Sequence, residues 1–114
     1  MTRDRGDLLQ GTLGLLILKS LAAGERHGYG IARWIEEVTE DVLAIPEGSL
    51  YPALRRLEAR GLITSRWDVS ENNRQARFYA LTGSGRKHLQ EDASQWMRFS
   101  DAVARVLRTD PRAV

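Results

Sequence analysis

A chain of 114 residues, 42% of them hydrophobic, has the size of one domain and enough apolar side chains for a modest core, which excludes disorder and collagen-like repeats. The absence of Cys and the presence of only two His exclude a disulfide framework, a thiolate zinc site and a cysteine nucleophile, while a net charge of +2 by itself points to no particular partner. The longest apolar stretch, Leu13 to Leu18, is interrupted by Gly14 and falls far short of the about 20 residues of a membrane span. The opening residues mix both charges without a small-residue cleavage site, so the cytoplasm is the expected location.

Leu8, Leu9, Leu13, Leu15, Leu16, Ile17, Leu18 and Leu21 are more than one amphipathic stripe requires, and they predict a first helix covered on two sides. One side packs on its own domain; the other meets something else, such as a second subunit. Gly24 stands where a left-handed C-cap belongs. Ile31, Trp34, Ile35 and Val38 follow the helical period, with Glu36, Glu37 and Glu40 opposite, and predict a second helix over about 28–40 whose first turn Gly28 and Gly30 weaken.

Leu50, Leu54 and Leu57 predict a third helix that stops at Gly61. Pro52, Arg55, Arg56 and Ala59 point away from its leucine stripe, with Ser49 and Tyr51 on the flanks, so its free face is basic. Its start has two readings. Either Ser49 is the N-cap and Pro52 lies in the first turn, or the helix begins near Pro46 and is kinked.

Leu62–Val69 and Arg77–Thr82 are rich in β-branched and aromatic residues and flank the polar stretch Ser70–Ala76, which predicts a two-stranded hairpin with an extended loop, leaning on the helices. Trp34 and Trp67 read as core or hairpin-face residues. Thr82 is the expected N-cap of the last helix, where Leu89, Ala93, Trp96, Ser100, Val103 and Leu107 recur at alternating spacings of four and three, an a/d seam that points to helix pairing. Asp110-Pro111 ends it, and a loose tail follows.

Charge is uneven along this order. Residues 25 to 47 hold two basic residues against six acidic, a balance of −4, whereas residues 49 to 88 hold eight against three, a balance of +5. A basic segment of this kind attracts phosphates whatever the far side carries. Catalytic chemistry finds no support: His27 and His88 are far apart, no His-x-x-x-His pair or nucleophile elbow occurs, and the glycine pairs at 28/30 and 83/85 lack the strand context of a phosphate loop. No enzyme activity, metal or cofactor is expected.

Helix, helix, basic helix with a glycine stop, then hairpin is the order of a winged helix-turn-helix, in which the third helix enters the major groove and the hairpin tip rides the neighbouring phosphates. The fold expected is mainly α with a small β-hairpin: a winged-helix unit over residues 8–82 and a C-terminal dimerisation helix over 83–109 on the same core. Gly11-Thr12-Leu13 to Lys19, His27-Gly28-Tyr29-Gly30-Ile31, Gly48-Ser49-Leu50-Tyr51-Pro52-Ala53-Leu54 with Leu57-Glu58-Ala59-Arg60-Gly61-Leu62-Ile63, and Tyr79-Ala80-Leu81-Thr82 together closely resemble the PadR family of bacterial transcriptional regulators.

The resemblance implies a dimeric repressor of the short subgroup, bound to a double-stranded operator and relieved by a small apolar or aromatic ligand at the dimer interface. On that reading Arg55 and Arg56 reach guanine edges or phosphates, Ser49 and Tyr51 donate to phosphate near the helix start beside Pro52, Asn72, Asn73, Arg74, Gln75 and Arg77 form the wing contacts, and Lys19 and Tyr29 add backbone contacts. Each has a plainer alternative: a solvated helix face for the arginines, capping and packing for Ser49 and Tyr51, an ordinary polar turn for the wing. Leu9, Leu13, Leu89, Ala93, Trp96, Ser100, Val103 and Leu107 are the expected dimer contacts, and Trp96 with Phe99 and Ser100 the expected effector site, although a tryptophan on a seam also serves as interface packing. The rival class is a winged-helix module that binds another protein through its first and last helices without touching DNA.

Overall fold

The computed structural model describes residues 5–113, with side chains from residue 11 onward. The elements run α1 (Arg5–Ser20), β1 (Arg26–His27), α2 (Gly28–Val38), α3 (Glu47–Ala59), β2 (Ile63–Val69), β3 (Gln75–Leu81) and α4 (Gly83–Arg108). The helical periods of α1, α2 and α3 converge on one core in which Leu13, Ile17, Ile31, Ile35, Leu50 and Leu54 are almost fully buried; Ile63 and Tyr79 of the sheet close one side and Leu89 of α4 another. This is the winged-helix arrangement.

The two-sided character of α1 is real. Ile17 and Leu18 enter the core while Leu15 and Leu16 stay half-buried along a groove shared with α4. Two residues expected at a subunit interface, Leu13 and Leu89, are instead only 1% and 8% exposed within the protomer itself. Both belong to this chain's own core, because the seam of α4 begins under α1 before it leaves the body. Ala93 is half-buried, whereas Trp96, Val103 and Leu107 are exposed and Ser100 is half-buried. The side chain of Leu9 lies outside the described residues. The 26 residues of α4, at a rise of about 1.5 Å each, make a rod of about 39 Å that accounts for much of the 60 Å long axis.

Two helix ends decide local geometry. At the end of α3, Gly61 has φ +75°, its N–H donates to Glu58 O, and Leu62 N–H donates to Leu57 O, a Schellman cap with Leu57 and Leu62 both buried. The expected glycine stop is therefore present. At the end of α2 the same pattern recurs without glycine: Glu40 and Asp41 have φ of 49° and 64°, and their N–H groups donate to Glu37 O and Glu36 O. The helix consequently closes at Val38 rather than near 40, and Val38 is 61% exposed instead of on the buried stripe.

The start of α3 takes the earlier of its two readings. Pro46 is the N-cap, its carbonyl accepting from Ser49 and Leu50, and Pro52 lies inside the helix. The N–H that Pro52 lacks would have met the carbonyl of Gly48, an exposed residue of the first turn open to water, which softens the penalty an interior proline normally carries.

The sheet has three strands rather than two, in the order β1-β3-β2, all antiparallel. Arg26 and His27 pair with Tyr79 and Phe78, a strand too short to leave a period in the sequence. The hairpin loop is also shorter than expected: Gln75 pairs with Val69, Asn73 N–H donates to Ser70 O, and Asn73 takes φ 59°, a tight turn closed by a left-handed residue. Gln75 and Ala76 thus belong to β3, not to the loop, and the strand expected to open at Arg77 begins two residues earlier.

Thr82 caps α4 as expected, its hydroxyl accepting from Gly85 N–H at 2.9 Å. Exchanging Gly61 for Ala should lower unfolding stability by about 1 kcal/mol, since only glycine takes the left-handed cap freely, while Glu40→Gly should raise it by about 0.5–1 kcal/mol. Urea unfolding of the two variants checks both signs.

Candidate nucleic-acid interface

The amphipathic period of α3 sends Leu50, Ala53, Leu54 and Leu57 into the core and leaves Tyr51, Arg55 and Arg56 on the outside. Tyr51 and Arg55 line a groove of about 600 Å³ between α3, the start of α2 and the hairpin, where they meet Tyr29, Gln75 and Arg77. Three segments distant in sequence thus deliver cationic and phenolic groups to one concavity.

Its wall at α2 is set by a histidine. His27 is the N-cap, Nδ1 accepting from Gly30 N–H at 2.9 Å, and its ring meets Phe78 edge-on with centroids 5.4 Å apart. The next residue is buried, and a Cβ on Gly28 would come within 2.9 Å of the Tyr51 ring. Glycine here lets the Tyr51 phenol lie against the backbone of α2. Tyr29 is 68% exposed, projecting beside this wall.

The hairpin supplies the other wall. Strand alternation and register place Ile63, Ser65, Trp67 and Val69 of β2 beside Leu81, Tyr79, Arg77 and Gln75 of β3 on the face turned toward α3. Burial pushes the Tyr79 phenol above its usual range, against the opposing pull of Arg77. On the reverse face Arg66 is bonded to Glu25 and Asp68 and lies 5.5 Å from the Phe78 ring centre. That guanidinium and the Val69 N–H hold the Asp68 carboxyl below its usual range. Arg66 is therefore a clamp between the sheet and the turn before β1.

Several expected residues lie elsewhere. Lys19 borders the apolar groove of about 550 Å³ between α1 and α4, with Leu15, Leu16, Ala93, Trp96 and Met97. That position lies outside the lining of the groove that holds Tyr51 and Arg55. Asn72, Asn73 and Arg74 are exposed at the hairpin tip, Arg56 is exposed on α3 outside the groove lining, and Ser49 and Pro52 are half-buried. Trp67, read as core or hairpin face, is 62% exposed and lines the groove. Period-two counting from the buried Ile63 places it on this face.

Trp96 and Phe99 stand with ring centroids 6.1 Å apart over a further groove of about 410 Å³, which also holds the His88–Asp92 pair at 2.9 Å. The Ser100 hydroxyl donates to Met97 O on its own helix. Among the described residues no group of three or more His, Asp or Glu could hold a metal ion, and no helix is long and apolar enough to cross a membrane.

Residues 17–91 match the transcriptional regulator PadR-like family. The chain is 39% identical over 79 residues to the transcriptional regulator Rv3488 of Mycobacterium tuberculosis, covering 68% of this chain and 69% of that protein. It is 31% identical over 75 residues to the negative transcriptional regulator PadR of Bacillus subtilis, covering 66% of this chain but 41% of the relative. The crystal structure of a PadR family transcriptional regulator from Eggerthella lenta superposes with a TM-score of 0.76 at 32% identity, over 91% of this chain and 88% of that one.

His27→Ala should cost about 1 kcal/mol by removing the N-cap of α2, and His27→Asn, which restores a capping oxygen, should recover most of it. Thermal melts of the two variants measure the difference.

Proposed function

The chain belongs to the PadR-like family, whose members are transcriptional regulators and not enzymes, and from that premise we propose that it is a cytoplasmic repressor that binds operator DNA as a homodimer. The carrying observation is the groove that gathers Tyr29, Tyr51, Arg55, Gln75 and Arg77 beside the free face of α3. A recognition helix in the major groove presents Arg55 and Arg56 to guanine edges or phosphates, and the hairpin lies along the adjoining backbone as the wing. On this reading residues 8–82 form the DNA-binding unit and 83–109 the dimerisation helix.

The surface of α4 supports a second copy. Trp96, Met97, Phe99, Val103, Val106 and Leu107 are all at least 41% exposed on one protomer, beside the apolar α1–α4 groove. An uncovered apolar surface of that extent marks an association site. A two-fold dimer would present two α3 helices to half-sites about 34–36 Å apart. Trp96 and Phe99, paired near this surface, are the residues with which a small flat apolar or aromatic effector would stack; such a ligand relieves repression if it binds the DNA-free arrangement of the dimer more tightly.

Footprinting should reveal a two-fold symmetric site whose affinity falls steeply with salt. Replacing Arg55 and Arg56 together by Ala should weaken that binding by about tenfold or more, with the dimer intact by sedimentation. Unchanged affinity would remove α3 from recognition, and a protein that captures another protein yet ignores DNA would establish the rival interaction module. Val103→Glu should shift the protein to monomer in sedimentation and abolish the symmetric footprint, because burying a carboxylate in an apolar seam costs several kcal/mol, about the scale of a dimer contact.

A further inference from the structure

A chain of side chains runs from the recognition helix to the wing. Ser65 Oγ on β2 donates to Glu58 Oε2 on α3 at 2.7 Å, and the same oxygen accepts from Arg77 Nε on β3 at 2.8 Å. One hydroxyl thus uses its single proton toward the carboxylate and a lone pair toward the guanidinium. Arg77 is also held from the side: its guanidinium carbon lies 5.5 Å from the Trp67 ring centre, and the two residues are direct cross-strand partners. Among the described residues neither Nη of Arg77 has a hydrogen-bond partner. Trp67, 62% exposed, has no core to fill at this point of the hairpin.

An exposed indole beside an arginine that is fixed at Nε, lies over that indole, keeps both Nη groups unpaired and lines the groove of Arg55 and Tyr51 has the chemistry of a nucleic-acid backbone contact. We propose that Trp67 and Arg77 form a preassembled clasp on the DNA backbone, Trp67 packing on deoxyribose and the Nη groups of Arg77 taking a phosphate, with Glu58 and Ser65 as positioning residues. The inference rests on the operator-binding reading above. Glu58 is the informative member, because a carboxylate on a DNA-facing groove repels phosphate. Electrostatics alone predicts tighter binding when it is removed. Positioning predicts weaker binding, since Arg77 then loses the relay that orients it and must be ordered at the moment of association.

The test uses the full chain and a fluorescent duplex selected by the wild-type protein from a random-sequence pool, read by anisotropy over a salt series. Glu58→Ala and Ser65→Ala should each weaken binding about three- to tenfold. Glu58→Ala should cause no such loss in an Arg77→Ala background, where there is no guanidinium left to orient. Trp67→Ala should weaken binding by a similar factor and Trp67→Phe should restore most of it, with melting curves recorded for each variant. Arg77→Ala should lower the salt slope by about one per protomer. Tighter or unchanged binding by Glu58→Ala, or full affinity in Trp67→Ala, would overturn the clasp while leaving operator binding intact. Failure of the wild-type protein to select any duplex would remove the operator reading, and the clasp with it.

Discussion

The geometry of this protein hangs on a knot of backbone contacts where the third helix ends and the fourth begins. The carbonyl of Leu62, just past the Gly61 turn, accepts from Thr82 N–H at 3.1 Å; the Thr82 hydroxyl donates to Gly61 O at 2.7 Å and accepts from Gly85 N–H. The backbones approach so closely that a Cβ on Gly85 would stand 1.9 Å from Leu62 O. Two residues spaced as Thr-x-x-Gly, Thr82 and Gly85, therefore satisfy the start of α4 and lock it to the end of α3 in one step. The helix that carries Arg55 and the rod that carries Trp96 leave this knot in fixed directions.

From that knot the two surfaces diverge. Tyr29, Tyr51, Arg55 and Arg77 gather on the α2–α3–hairpin side, and the exposed apolar side chains from Trp96 to Leu107 lie along the distal part of α4, next to the α1–α4 groove. The groove beneath Trp96 and Phe99 is also lined by Leu57 and Arg60, from the last turn of α3 and its cap. A molecule seated there would touch the last turn of the proposed recognition helix, without any contact to the groove on the other side. That adjacency gives the proposed effector response a short mechanical route, because a rigid element moves as a body.

The wing owes its direction to polar contacts rather than to burial. Beyond Ile63 and Tyr79 its side chains are largely exposed, and it is held by Arg66 on one face and by the Glu58–Ser65–Arg77 relay on the other. A two-stranded ribbon twists freely unless something fixes it. Here the third strand, two residues long, and these side chains supply that restraint.

Periodicity in the chain was enough to place four helices, the hairpin, the Gly61 stop, the Thr82 cap and the basic free face of the third helix, because each depends on residues near one another in sequence. The family was legible by resemblance rather than by period, in the motifs at Ser49–Leu54 and Leu57–Ile63 that sit at the turn and packing positions described above. What periodicity could not decide were matters of distance between segments. Leu13 and Leu89 look no different from Val103 on a helical wheel, and only the packing of α4 beneath α1 puts them inside the protomer and leaves Val103 out. Trp67 has the composition of a core residue, yet it is exposed in the groove beside Tyr51 and Arg55, and its pairing with Arg77 and the link to Glu58 arise from strand register. Local spacing sets which face of an element a side chain takes; what lies opposite that face is settled only when the elements meet, since burial is a property of the pair.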